Sequence, residues 1–153
     1  MVEVLVAVSI VIILAMLVLG VGKRLKTQAE EKLAKSTIGI LVTAISQYYE
    51  FWDKFPAPCQ PGQSGNITRT ERAENLYKQL YSTPSSKSFC EKIDATMIGD
   101  TSEPPNNNLE FLDPWGEPLD YRYKDGDSFP VIESAGPDGD PCTTADNINS
   151  RNM

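Results

Sequence analysis

The sequence contains no histidine, and none of its three cysteines belongs to a CxxC pair. Zinc centres are usually built from closely spaced cysteines and histidines, so we do not expect a zinc site. The chain also has no phosphate-binding glycine loop and no nucleophile paired with a base. We therefore predict that the protein is not an enzyme.

Positive charge is also scarce. The chain has 14 Lys and Arg against 21 Asp and Glu, which gives a net charge of −7. The only basic cluster is formed by Lys23, Arg24 and Lys26. Phosphate backbones are bound by clustered cations, so nucleic acid is not a required partner. A chain of 153 residues has room for one domain of ordinary size.

The N-terminal segment is almost free of charge. Between residues 1 and 22 the only ionisable side chain is Glu3. A helix of this length spans roughly 33 Å, which is enough to cross a bilayer. We predict that residues 1–22 are a transmembrane segment and that residues 23–153 form a soluble head. A carboxylate at the bilayer centre costs about 2.5–3.5 kcal/mol, so Glu3 needs a cationic partner such as an N-terminal amine.

The basic residues that follow this segment bear on its orientation. By the positive-inside rule, Lys23 and Arg24 would keep the C-terminal side in the cytoplasm. A cysteine-bearing head is expected to be exported. The two expectations agree if a more basic leader preceded Met1 and was removed.

Helical periodicity continues into the head. Apolar residues spaced 4, 3, 4, 3 and 4 apart predict one buried helix face over residues 23–54: Ala34, Ile38, Leu41, Ile45, Tyr48 and Trp52. The helix should end near Lys54, because Pro56 and Pro58 cannot continue it. Its aromatic end is expected to pack on a sheet: Tyr48, Tyr49, Phe51, Trp52 and Phe55.

The remaining chain divides into a variable segment, residues 55–112, and a C-terminal part, residues 113–153. Thr68 and Glu71 form a capping-box pattern that predicts a helix ending near Ser82–Pro84, and a shorter helix is predicted over Ser86–Met97. Asp113–Gly116, with the sequence DPWG, predicts a turn. The runs Leu119–Tyr123 and Ser128–Ser134 predict a β-hairpin, so the expected class is α+β.

The cysteines offer one disulfide and one remaining thiol. Cys59 and Cys90 flank the same middle segment, which favours a bond between them in an exported head. Pairing of either residue with Cys142 stays open.

Two blocks of sequence resemble a known family. The stretch MVEVLVAVSIVIILAMLVLG resembles the mature N-terminus of type IV pilins and pseudopilins. The stretch DPWGEPLDYRYKDGDSFPVIESAGPDGDPCTTADNI resembles the C-terminal half of the major pseudopilin of type II secretion. Together they cover residues 1–55 and 113–148, about 60% of the chain. The resemblance implies a type IV pilin-like fold, in which a long N-terminal helix packs on a small C-terminal antiparallel sheet.

The resemblance also implies how the N-terminus is used. Members of this family are cut by a prepilin peptidase and methylated on the new terminus. Their fifth-position glutamate pairs with the amino terminus of an adjacent subunit. Glu3 matches this glutamate but stands two positions earlier, so the methylated residue is not assigned.

The terminal loop is rich in oxygen ligands. Asp138, Asp140, Asp146 and Asn147 lie within ten residues, and calcium takes six to eight oxygen ligands. The spacing is not that of an EF-hand. The resemblance implies that Asp138 and Asp146 supply side-chain ligands, and that Ala135 and Thr143 lie near positions that supply carbonyl groups. Calcium is therefore the expected cofactor, and a solvated acidic loop is the alternative.

These features predict a structural subunit that polymerises with its own copies into a helical filament. It would reside as a single-pass protein in the bacterial inner membrane before assembly, and afterwards in a periplasmic or extracellular filament. Its expected partners are the prepilin peptidase and the assembly machinery. The resemblance favours the pseudopilus of type II protein secretion, and a type IV pilus for adhesion, motility or DNA uptake is the alternative. A membrane-tethered calcium-binding module is disfavoured, because a simple anchor has no use for Glu3.

Overall fold

One long helix dominates the N-terminal third of the chain. The computed structural model describes residues 2–59, 67–143 and 145–153. Helix α1 runs from Val2 to Trp52, which is 51 residues and about 76 Å. It ends two residues before the predicted Lys54, where Asp53 adopts a positive φ of 54° and Pro56 follows soon after. The predicted long helix is confirmed.

The first part of α1 exposes apolar side chains on all sides. Eleven large apolar residues between positions 2 and 16 are each 50–73% exposed: Val2, Val4, Leu5, Val6, Val8, Ile10, Val11, Ile12, Ile13, Leu14 and Met16. No helix in the described residues combines the length and the apolar character that a membrane crossing requires.

The second part of α1 provides one wall of the hydrophobic core. The predicted stripe is buried at five of its six positions, from Ala34 through Ile38, Leu41 and Ile45 to Tyr48. Trp52 is the exception, because its side chain is 48% exposed and its indole nitrogen donates a hydrogen bond of 2.9 Å to Thr83 Oγ1.

The prediction that the whole aromatic end of α1 packs on a sheet was wrong. Tyr49 and Phe51 are 40% and 59% exposed. Tyr49 is turned about 100° from Tyr48 around the helix axis, which directs it away from the buried face. Phe51 is three residues after Tyr48 but lies at the very end of α1, where its ring centre is 5.1 Å from that of Trp52. Phe55, beyond the helix end, does reach the C-terminal region, with its ring 5.1 Å from Tyr123 and 5.2 Å from Phe129.

Two shorter helices cover the side of the core that α1 leaves open. Helix α2 spans Arg69–Ser82 and begins with the predicted capping box, in which Thr68 and Glu71 bond each other's backbone N–H groups. Helix α3 spans Pro84–Cys90, so it begins earlier and ends sooner than predicted. Proline favours the first turn of a helix, which explains the earlier start.

The strands are short and form two antiparallel sheets. In the first, β1 (Ile98–Gly99) pairs with β2 (Glu110–Phe111). In the second, the order is β3 (Asp120–Arg122), β4 (Val131–Ser134) and β5 (Ile148–Asn149). Tyr121 pairs with Ile132, which confirms the predicted hairpin. The architecture is α+β.

Two of the polar contacts that hold the second sheet come from α2 and from the chain just after α1. Arg72 on α2 binds Asp120 on β3, with a distance of 2.7 Å between Nη2 and Oδ1. The Tyr121 hydroxyl donates a hydrogen bond of 2.7 Å to the carbonyl oxygen of Pro56, just after α1. Both contacts position the sheet whose last strands border the terminal loop.

Candidate functional site

The DPWG turn is organised by the buried carboxylate of Asp113, which is 1% exposed. Its Oδ1 atom accepts hydrogen bonds from the backbone N–H groups of Trp115 and Glu117, at 3.0 and 2.9 Å. Its Oδ2 atom accepts one from the Ser134 hydroxyl at 2.6 Å. The turn is thereby attached to the end of β4, where the terminal loop begins.

The entry of the terminal loop requires glycine. Gly136 donates its N–H to Ser134 Oγ at 3.1 Å and has a φ of 78°. A Cβ atom at this position would lie 2.6 Å from the carbonyl oxygen of Asp146. The two ends of the loop therefore pass so closely that no larger residue fits.

The loop gathers the predicted acidic residues around one hydroxyl group. Thr143 Oγ1 lies 2.5 Å from Asp138 Oδ2, 3.0 Å from the Asp140 carbonyl oxygen and 3.5 Å from Asp146 Oδ1. The Thr143 side chain and the Asp140 N–H group lower the pKa of Asp138 by hydrogen bonding to its carboxylate. The structure thus brings together Asp138, Asp140, Thr143 and Asp146.

Asn147 lies beside this cluster but is directed elsewhere. Its Nδ2 atom donates to Glu133 Oε1 at 3.2 Å and to the Pro141 carbonyl oxygen at 3.3 Å. Within the described residues its Oδ1 atom is buried without a hydrogen-bond partner. Ala135, the remaining predicted ligand position, is fully buried at the start of the loop.

The carboxylate and amide oxygens of the loop are of the type that a hard cation such as calcium prefers. Among the described residues the buried Asn147 Oδ1 atom has no hydrogen-bond partner. In the part of the chain that the structure describes, no group of three or more acidic, cysteine or histidine side chains is arranged to hold a metal ion. Calcium at this position would therefore also depend on carbonyl and amide oxygens.

Glu3 lies in the first turn of α1 and is exposed. A carboxylate there interacts favourably with the positive end of the helix dipole. Among the described residues, no cation forms an ion pair with it. Met1 lies outside the described residues.

The predicted bond between Cys59 and Cys90 is not present in the structure, where all three cysteines are free thiols. Cys90 ends α3 with its side chain fully buried in the apolar core, and this burial raises the pKa of its thiol to about 12. Cys59 follows a segment that is tied to α2 instead, through hydrogen bonds between Ala57 and Gln79. Cys142 is exposed in the terminal loop.

The comparisons with known proteins are negative. No family model, curated protein or solved structure matches this chain.

Sequence reasoning missed three carboxylates that the fold buries. Asp113 had a signal, because aspartate favours the first position of a turn whose N–H groups it can cap. Glu74 on α2 and Glu110 on β2 are 6% and 0% exposed and had no such signal. Their burial depends on the segment between β1 and β2, which reaches over to α2.

Proposed function

We propose that the protein is a structural subunit that polymerises into a helical filament of the type IV pilin-like kind. The observation that carries the proposal is the division of α1 into two unequal environments. From Ala34 onward one face of the helix is buried by the head, whereas the eleven large apolar side chains named above, between Val2 and Met16, are at least half exposed.

The exposed apolar half of α1 would be stabilised by burial against another apolar surface. An apolar side chain gains about 1.5–3 kcal/mol when it is fully buried. Eleven half-exposed side chains therefore offer on the order of 10 kcal/mol to whatever covers them. A helix that is apolar all round is typical of a membrane segment or of the interior of a large assembly. In the proposed life cycle, the inner membrane surrounds the apolar half of α1 before assembly, and neighbouring copies of α1 surround it in the filament.

Glu3 supports the filament over a simple anchor. A carboxylate in an apolar surrounding is costly unless it is paired. In the proposed filament its partner is the N-terminal amine of an adjacent copy. The prepilin peptidase and the assembly machinery would deliver subunits to that arrangement.

The terminal loop supports a second feature of the same proposal. Bound calcium would supply positive charge to a loop in which three aspartates are otherwise close together. Asp138, Asp146 and the Asn147 amide oxygen would hold it, with carbonyl oxygens near Ala135 and Thr143. The resemblance of this region favours the secretion pseudopilus, and a surface pilus is the alternative proposal.

The test is a comparison of two glutamate variants made in the native cells. We expect Glu3→Ala to enter the membrane normally and to give few or no filaments. Glu30→Ala is the matched control, because its carboxylate lies on the same helix and pairs with Lys26, whose side chain is 79% exposed, so the pair contributes little. Filaments are counted by electron microscopy and their subunit identified by mass spectrometry.

Normal filament yield from Glu3→Ala would contradict the role of Glu3. The absence of this chain from every filament of the wild-type cells would contradict the proposed function as a whole. Long surface filaments at native expression levels would favour the pilus over the pseudopilus.

A further inference from the structure

The segment between β1 and β2 is held almost entirely by carboxylates. Residues 100–108, in the connection between the two strands, donate seven hydrogen bonds to three acidic side chains, Asp100, Glu74 and Glu110. Asp100 belongs to the segment itself, whereas Glu74 comes from α2 and Glu110 from β2. The segment therefore depends on the state of acidic groups on two other elements.

Glu110 is the most enclosed of the three. The residue is fully buried, and its Oε1 atom accepts hydrogen bonds from Thr101 N at 2.8 Å and Thr101 Oγ1 at 2.5 Å. Its Oε2 atom is buried and has no hydrogen-bond partner among the described residues. If the carboxylate is ionised, this buried oxygen loses its hydrating water and gains no hydrogen bond in exchange, which is unfavourable.

The groups that face Glu110 add negative charge. Glu74 on α2 and Asp100 on the segment both disfavour its ionisation, whereas β1 carries no ionisable side chain. Lys78 on α2 pairs with Glu74 Oε2 at 3.4 Å. Glu74 also accepts hydrogen bonds from Ser102 and Asn106, which bind the segment to α2.

We propose that Glu110 is a proton-binding site that couples the docking of residues 100–108 on α2 to pH. With the proton bound, the buried carboxyl is neutral and the segment stays docked. When Glu110 ionises, a charge with one unpartnered oxygen lies beside two other carboxylates, and the segment loosens. This inference concerns the head alone and does not depend on filament formation.

The expected pH window follows from the pKa values. Burial is the main cause that raises the pKa of Glu110 above its ordinary 4.5. Its proton therefore stabilises the folded state fully below about pH 4.5, and this contribution is lost as the pH rises through the folded pKa. Hydrogen bonds lower the pKa of Asp94 and of Asp100 below the ordinary 3.8. Their contributions to the stability of the folded state are therefore lost only when the pH falls below about 3.8.

The chain is well suited to a clean test, because it contains no histidine. Histidine is the only side chain that ordinarily titrates between pH 5 and 8. The test is amide hydrogen exchange of residues 101–108 in the full chain, held in detergent micelles between pH 4.5 and 8 and corrected for intrinsic exchange rates. Protection should fall about tenfold for each unit by which the folded pKa of Glu110 exceeds 4.5.

Two glutamine variants separate a proton site from a general loss of stability. Glu110→Gln replaces the carboxyl with a neutral group of the same shape, and we expect protection that no longer changes with pH. Glu91→Gln is the matched control, because its exposed carboxylate pairs with Lys87 on α3. It should keep the wild-type profile.

Identical pH profiles for the wild type and Glu110→Gln would overturn the proposal. If Glu110→Gln does not fold, the carboxyl carbon of Glu110 is titrated in the wild-type protein by nuclear magnetic resonance. A folded pKa above 4.5 supports the proposal, and a value at or below 4.5 overturns it.

Discussion

Removal of the Asp113 carboxylate should cost the head a large part of its stability. The carboxylate accepts hydrogen bonds from Trp115 N, Glu117 N and Ser134 Oγ. A hydrogen bond to a charged group contributes roughly 1.5–3 kcal/mol. The two N–H groups belong to a turn at the protein surface and regain some water when the carboxylate is lost. We therefore expect Asp113→Ala to lower the free energy of unfolding by about 3–5 kcal/mol.

A second substitution tests whether hydrogen-bond geometry, rather than volume, sets this cost. In Asp113→Asn the retained oxygen can still accept from Trp115 N and Glu117 N. The new NH₂ group faces the Ser134 hydroxyl, which donates to the carboxylate in the wild type and so loses its acceptor. One donor is thereby mismatched, and we expect a loss of about 1–2 kcal/mol.

The assay is thermal unfolding of the full chain in detergent, followed by tryptophan fluorescence. A chain of this size loses about 2–4 °C of Tm per kcal/mol, so Asp113→Ala should unfold roughly 10 °C below the wild type. Asp127→Ala is the control, because this aspartate is exposed and accepts a single hydrogen bond of 3.2 Å from Lys124 N. If Asp113→Ala and Asp127→Ala melt together, the account of the turn is wrong.

Two further predictions use the same assay. Calcium at a concentration one hundred times its Kd should stabilise the folded protein by about 2.7 kcal/mol, so the Tm should be higher with calcium than with chelator. Asp138→Ala or Asp146→Ala should abolish this gain, whereas Asp127→Ala should not. Equal midpoints with calcium and with chelator would leave a merely solvated loop. Ile38→Ala removes a fully buried side chain of α1 and should cost about 2–4 kcal/mol, whereas Leu33→Ala, 38% exposed, should cost far less. Similar losses of stability in both variants would contradict the description of the buried face of α1.

Much of the local structure could be predicted from neighbouring residues. The end of α1 follows from proline chemistry, the start of α2 from the reciprocal bonds of Thr68 and Glu71, and the hairpin from its turn residues. In each case the decisive residues lie within a few positions of one another.

The features that the sequence did not predict depend on residues that lie far apart in the chain. The exposure of Trp52 depends on where Thr83 lies, 31 positions later in the chain. The burial of Glu110 depends on α2, and the role of Asp113 is completed by Ser134. Such contacts depend on tertiary packing, which composition and periodicity do not report. For the terminal loop, the residue types were recognisable, but the central position of the Thr143 hydroxyl was not.

The unbroken course of α1 fixes the orientation of the head about the helix axis. Each residue of an α-helix turns the chain by about 100° and advances it by 1.5 Å. Because α1 continues from Val2 to Trp52, the direction in which the head faces is set by the number of residues between Met16 and Ala34. A single inserted residue there would swing the second sheet and the terminal loop by more than a quarter turn relative to the apolar half. The length of that stretch thus determines which surface the head turns toward a given side of the apolar half, independently of the side chains that the stretch carries.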